Sequence, residues 1–276
     1  MKTKALQFLA VGLAGLLMTG CVMWQHNRST HATSVMQFLY PKDSQHTEAP
    51  RIPVLSLPLR VGVAFVPSAN GQNSGISEAA KAEMLKRVAA EFRGLPYVKA
   101  IEIIPTTYLR PTGGFENLEQ VKSMFGVDVI ALVAYDQIQF TNEGFLSLAY
   151  WTIVGAYMIE GEKNDTQTLM EAVVFDISSH KMLFRAPGTS RVKASATPIN
   201  LSEQLRTDSR TGFDQATTEM IANLKTELEN FKTRVKESPT EFKIEHKPGY
   251  TGGGMLDGGF AIGLAGLAFL ALWRRK

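Results

Sequence analysis

Apolar and polar positions change period along the chain, and the changes mark its elements. Leu59, Val61, Val63 and Phe65 alternate with Arg60, Gly62 and Ala64, the period of two of a half-buried strand. Ile76, Ala80, Met84, Val88 and Phe92 then share one helical stripe beside Leu85 and Ala89, until Gly94-Leu95-Pro96 stops the helix. Val98 to Ile104 predicts a second strand, closed by Pro105. Tyr108 to Gly114 reads as a loop. Asn117 then caps a short helix carrying Leu118, Val121 and Phe125, with Gly126 as its stop. Val127 to Ala134 is almost continuously apolar, as in a strand buried on both faces, and runs on through Tyr135, Ile138 and Phe140. Leu169 to Ile177 and Lys181 to Ala186 frame the turn Ser178-Ser179-His180 as a hairpin. Phe213, Thr217, Met220, Ile221, Leu224, Leu228, Phe231 and Val235, spaced by threes and fours, predict a long final helix that Pro239 ends.

The order β-α-β-α-β-β-β-α predicts a single α/β (α+β) domain over residues 59–237, a mixed sheet with helices packed on it. No internal repeat is present. Residues 21–58 sustain no period and carry Pro41, Pro50, Pro53 and Pro58, so they read as a tether. Met36-Gln37-Phe38-Leu39-Tyr40-Pro41 is an apolar exception that should dock on the domain. Residues 238–251 read as a linker.

Phe145 to Ile159 carries no charge and is too short for a comfortable membrane span. Three readings stand for it: a core segment, which leads, an exposed aromatic surface for a membrane or partner, or part of a pore. Tyr150, Trp151 and Tyr157 are the candidate contact residues of the second reading.

Both ends carry membrane signals. Lys2 and Lys4 followed by the apolar stretch Ala5 to Leu17 read as a signal peptide over residues 1–20. Leu17-Met18-Thr19-Gly20-Cys21 is similar to a lipobox, with Met18 where leucine is usual, and implies a diacylglycerol on the Cys21 sulfur. Cys21 is the chain's one cysteine, which excludes an internal disulfide. The plainer alternative is an ordinary signal peptide with a chance cysteine. Val22 follows Cys21, where many inner-membrane lipoproteins have aspartate; this favours the outer membrane.

At the other end, residues 252–276 run from Gly252-Gly253-Gly254 through an apolar stretch to Arg274-Arg275-Lys276. The stretch has roughly 19 residues counted from Met255, just short of the about 20 that cross a bilayer. The three terminal cations place the C-terminus in the cytoplasm and the domain across the inner membrane. Its abundant glycine and alanine let helices approach closely and its glycines weaken the helix, which suits a segment that an intramembrane protease must grip and unwind. A plain anchor is the alternative.

Composition changes one point. Removing Lys2, Lys4, Arg274, Arg275, Lys276 and Asp257 from the 29 basic and 26 acidic residues leaves a net charge of about −1. A near-neutral domain excludes nucleic acid as a partner on charge grounds.

Candidate chemistry is sparse. Asn70-Gly71-Gln72-Asn73-Ser74-Gly75 joins a strand to a helix N-terminus, a phosphate-type position, but lacks the lysine and spacing of a P-loop. Ser74 reads as a helix cap. His26, His31, His46, His180 and His246 show no metal-ligand spacing, so neither a metal nor a cofactor is expected. Glu160, Glu162 and Asp165 around a Gly161-Lys163-Asn164 loop read as solvated, although they could hold a cation. Asp176 fixes the hairpin turn. With no catalytic motif found, the expectation is a non-enzymatic binding or assembly module, with a hydrolase of unrecognised type as the rival and a pore or secretion component as the third reading.

The tail resembles the GlyGly-CTERM sorting signal, which rhombosortase, a rhomboid-type intramembrane protease of Gram-negative bacteria, processes. The lipobox, the domain order, the tail and the words Tyr150 to Tyr157, Val174 to Ile177 and Leu183 to Gly188 together resemble the rhombotarget lipoprotein family. The resemblance implies lipoprotein maturation enzymes, rhombosortase, membrane lipid and an envelope partner, with a surface or exported destination and no reaction. The domain order is also similar to small α/β domains of envelope lipoproteins, such as the curli secretion channel and the amino-terminal part of TolB, a likeness of fold alone.

Overall fold

A computed structural model describes residues 27–40, 51–68, 76–143, 162–196, 200–248 and 250. They form a mixed α+β domain. In chain order the elements are β1 (Asn27–Ala32), α1 (Val35–Leu39), β2 (Val54–Leu57), β3 (Leu59–Phe65), α2 (Glu78–Phe92), β4 (Val98–Ile104), a 3₁₀ turn (Thr106–Tyr108), α3 (Gly114–Phe125), β5 (Val129–Glu143), β6 (Glu162–Asp176), β7 (Lys181–Ala196), α4 (Leu201–Glu237) and β8 (Lys243–His246). Among the described residues no helix is long and apolar enough to cross a membrane.

β5 is the strand buried on both faces that its apolar run predicts. Every residue from Val129 to Tyr135 is at most 7% exposed. Val129, Ala131, Val133 and Tyr135 enter one core with α2 and α4, while Ile130, Leu132 and Ala134 enter a second with α1 and α3. The sheet order is β4-β3-β5-β6-β7, with β4, β3 and the start of β5 parallel and the rest antiparallel. The crossover helices α2 and α3 therefore cover opposite faces.

The chain outside residues 59–237 is more structured than its sequence suggests. Within the expected tether, β1 pairs antiparallel with residues 136–141 of β5, continuing the sheet where β3 stops. The apolar exception is α1, which buries Val35, Phe38 and Leu39. Within the expected tether and linker, β2 and β8 pair in parallel. β8 is exposed along its length and β2 buries only Leu55, so backbone pairing holds this pair with little apolar pattern to mark it.

Two elements are longer than expected, for one reason. β6 begins at Glu162, not Leu169, and α4 at Leu201, not Phe213. Both added stretches bury polar faces: Asn164, Thr166 and Thr168 on the strand, Asp208 and Gly212 on the helix. The loop expected around Glu162 and Asp165 is therefore strand. β7 also continues beyond Ala186, through Pro187 and Gly188 to Ala196. Proline is tolerated there because β7 is an edge strand.

Asn117 lies inside α3 instead of capping it. It is buried, accepts from the Arg110 amide at 2.7 Å and donates to the Tyr108 carbonyl at 3.2 Å, so it fastens the loop before the helix. Ser77, not Ser74, caps α2, accepting from the Ala80 amide at 3.2 Å. Asp176 fixes the hairpin turn as expected, accepting from the Ser179 amide at 2.9 Å.

Gly188 sets how closely α4 approaches β7. A Cβ there would overlap the Ala216 carbonyl oxygen and lie 2.5 Å from the Met220 nitrogen, both backbone atoms of the helix. We expect Gly188→Ala to destabilise the domain by about 2–3 kcal/mol in urea unfolding, the scale of overpacking a core. Gly62→Ala should cost less, because its nearest neighbour is the movable Ile104 side chain.

Candidate functional site

The residues singled out by sequence, Cys21, Gly252, Gly253, Gly254, Arg274, Arg275, Lys276, Tyr150, Trp151 and Tyr157, all lie outside the described residues. The structure instead shows how the domain presents the chain that leads to them, at the two ends of β5.

At the first end, β5 begins beside Asp128. The Asp128 carboxylate accepts from the Arg60 amide at 2.9 Å and from Lys247 Nζ at 2.8 Å. Its backbone amide donates to the Arg60 carbonyl at 2.8 Å. Lys247 Nζ also reaches the Pro58 carbonyl at 3.4 Å. One carboxylate thus ties the chain following β8 to the start of the parallel strands. The order continues to Tyr250, whose amide donates to the Lys247 carbonyl at 3.1 Å and whose ring stacks on His246 at 5.6 Å. Tyr250 is two residues from the glycine cluster. Asp128 was readable in principle: it is the one charge inside the apolar run from Val127 to Ala134.

At the second end, β5 and β6 extend past the core as a long ribbon, flanked by β1 and β7. Glu143 and Glu162 are register partners, so they frame residues 144–161, which include Tyr150, Trp151 and Tyr157. Asn27 pairs with Thr141. β1 therefore begins at the end of the ribbon that Glu143 and Glu162 close.

The ribbon joins the start of α4 through a polar seam. Gln137 Nε2 donates to Thr168 Oγ1 at 2.8 Å and to the Ser209 carbonyl at 3.1 Å, and Ser209 Oγ donates to Gln137 Oε1 at 2.6 Å. One rung outward, Gln139 Nε2 donates to Thr166 Oγ1 at 3.2 Å and to the Leu205 carbonyl at 2.8 Å. Gly212 lets the helix settle here, since a Cβ would lie 2.6 Å from Thr168 Oγ1. Both side-chain polar atoms of Asn164, Asp208 Oδ2 and Ser190 Oγ are buried without a partner. The seam is therefore held by hydrogen bonds, where the neighbouring core is held by Met170, Phe213 and Met220. Burial raises the Tyr135 phenol well above its usual range at the junction of the two.

On the opposite face of the ribbon Arg191 donates three hydrogen bonds to Asp165, which hold that carboxyl below its ordinary range. An open groove of about 250 Å³ lies between α2 and α4, lined by Arg87, Ala90, Glu91, Thr218 and Ile221. Its charges are paired: Arg87 with Asp214 and Thr218, and Glu91 with Lys225. His180 stacks on Phe115 at 4.2 Å. Among the described residues no three His, Cys, Asp or Glu side chains converge as metal ligands.

Two predictions follow from these contacts. Lys247→Ala should speed amide hydrogen exchange at residues 243–246 about two- to fivefold, the effect of losing one half-exposed ion pair; unchanged exchange would show that β8 holds without it. The lowered Asp165 pKa contributes stability that is present above the ordinary carboxylate pKa of about 4 and is lost as pH falls through the lowered value. Asp165→Asn should therefore be less stable than the parent above that range, with the two curves converging in acid.

No protein-family model and no curated protein matches the chain. Among solved structures, a neuraminyllactose-binding hemagglutinin homolog from Helicobacter pylori is similar over 72% of this chain and 97% of that one, at 10% identity and a TM-score of 0.37. A likeness at that level carries no argument.

Proposed function

We propose that the protein is a lipoprotein of a Gram-negative cell envelope, lipidated at Cys21 and processed by rhombosortase at Gly252-Gly253-Gly254. Arg274, Arg275 and Lys276 act as the cytoplasmic stop. The domain is a non-catalytic binding or assembly module, displayed in the outer membrane or at the surface.

The observation that carries this reading is the coincidence of two signals on one chain. The lone cysteine closes a signal peptide, and a glycine cluster, an apolar stretch and a basic end follow in order at the other terminus. The fold supports it in two places. The register Asn27 with Thr141 leaves six residues from Cys21 to the ribbon. That chain reaches at most about 20 Å, so an acyl anchor would hold the ribbon end near the lipid surface. Glu143 and Glu162, which flank the uncharged segment in sequence, are paired at that end, and the aromatic residues Tyr150, Trp151 and Tyr157 of the segment suit a headgroup layer. At the other end, Lys247 and Tyr250 hold the chain close before the glycine cluster.

The test is the intact mass of the protein from host membranes, with and without rhombosortase. We expect a lipidated N-terminus in both, and loss of the residues from the glycine cluster onward only when the protease is present. A full-length C-terminus in both strains would remove the sorting reading. The membrane-facing part has a separate readout. In processed protein reconstituted into bilayers with brominated acyl chains, Trp151→Phe should relieve much of the tryptophan quenching, with Trp24 supplying the remainder. Unchanged quenching would sink that part alone.

A further inference from the structure

We infer that the protein pairs with a second copy of itself through β4, edge to edge and antiparallel, about a two-fold axis at Ile101. This goes beyond the sorting reading and rests on the sheet and its flanking helices alone.

The two outer strands of the sheet are treated differently. Along β7 the side chains of α4 occupy outward backbone groups. Glu219 accepts from the Thr189 amide at 2.7 Å, Asn223 donates to the Pro187 carbonyl at 2.7 Å, and Arg234 donates to the Leu183 carbonyl at 2.7 Å. This is edge protection. β4 has none among the described residues. The Arg60 carbonyl accepts from the Asp128 amide and the Val66 amide donates to the Val133 carbonyl, so even positions of β3 bond β5 and odd positions bond β4. Val61 and Val63 are the register partners of Ile101 and Ile103. In a parallel ladder they bond the residues on either side of those partners, so the backbone groups of Ile101 and Ile103 turn outward. Among the described residues nothing bonds them. The strand is apolar but for Lys99 and Glu102, and Arg60 holds Glu102 at 3.2 Å.

The helices leave this margin apolar as well. Phe115 and Lys122 of α3 face the β6–β7 turn, where Phe115 stacks on His180 and Lys122 donates to Ser178. Asn117 and Met124 lie half a turn round the helix and face the β4 side. Tyr108 is on that side too: Asn117 bonds its carbonyl, and its ring packs on Phe125 with centroids 5.2 Å apart. Tyr108 is 44% exposed and Met124 63%. On the other face of the sheet α2 turns Ala79 and Ala82 to the margin, small enough for a second helix to approach, with Lys86 held on Glu83 at 3.6 Å.

The occupant that fits is a second copy. With Ile101 on the axis, its outward amide and carbonyl meet their own counterparts. Lys99 then stands opposite Ile103 and Ala100 opposite Glu102, so no like charges are opposed. Moving the axis one residue, to Glu102, would oppose two carboxylates. Each face of the sheet stays continuous, and Tyr108 and Met124 of both copies cover the small Ala100 positions between the two α3 helices. The contact is isologous, so it closes at a dimer.

The test uses the full-length chain in host membranes, with Cys21 in place and the parent chain as background. Mild oxidation of Ile101→Cys should give one dimer species and nothing larger, because a residue paired with its own copy across antiparallel strands lies within disulfide reach. Lys193→Cys, on the β7 margin, should match the background. Met124→Lys, at an exposed position where the single chain tolerates a charge, should cut the Ile101→Cys dimer about tenfold, since the contact buries that charge without a partner. With no cysteine introduced, the parent protein in mild detergent should sediment as a dimer and Met124→Lys as a monomer. A monomeric parent, species larger than a dimer, as much dimer from Lys193→Cys, or a dimer that Met124→Lys leaves intact would each overturn the proposal.

Discussion

β5 runs further than any one neighbour can cover, and the arrangement of the sheet follows from that. Its first residues are sealed by β3 on one side and β6 on the other, with apolar layers above and below. Past Val133 β3 has ended while β5 continues for ten residues. A strand of that length cannot leave a row of backbone groups unpaired, so β1 is drawn back from the N-terminal segment to complete it. β6 and β7 lengthen with it, and α4 is long because it must span the core and the ribbon together.

The change from apolar core to polar seam along α4 divides the molecule into two regimes. Beneath Phe213, Ala216 and Met220 the helix is held by burial. Beneath Leu205 and Ser209 it is held by glutamine and threonine bonds whose strength depends on alignment. Apolar packing tolerates small displacements, whereas a hydrogen-bonded seam specifies register. The seam therefore fixes where the ribbon points relative to the core, and Gly212 and Gly188 allow the close approach that this alignment needs.

The sequence was most legible where burial is apolar. The strand at Leu59, the helix over Met84 and Val88, and β4 from Val98 to Ile104 all stand where alternation or a helical stripe marked them. It was least legible where the buried face is polar or where only backbone pairing holds the element. Asn164, Thr166 and Thr168 alternate as strictly as valines would, yet a hydrophobic period does not register them. β8 is exposed and β2 places only Leu55 in the core, so little in their side chains calls for a strand. Asn117 shows a different failure: a residue suited to capping was used one turn inside the helix, because the loop at Tyr108 and Arg110 needed its amide more. The sequence named end segments that lie outside the described residues, but not Asp128, which joins Arg60 to Lys247, nor the rungs of Gln137 and Gln139, which join the ribbon to α4.

The length of β5 also sets a lever arm. Fifteen residues of strand separate the Asp128 end from the Glu143 end, a distance of about 48 Å. The chain from Cys21 joins near Glu143, and the chain towards the glycine cluster leaves near Asp128. A molecule fastened to one bilayer through both termini would have to recline, its strand axis close to the membrane plane. Cutting the C-terminal fastening would leave a single pivot at the ribbon end and let the domain stand upright. If the tail is processed as proposed, that step would alter posture as well as address.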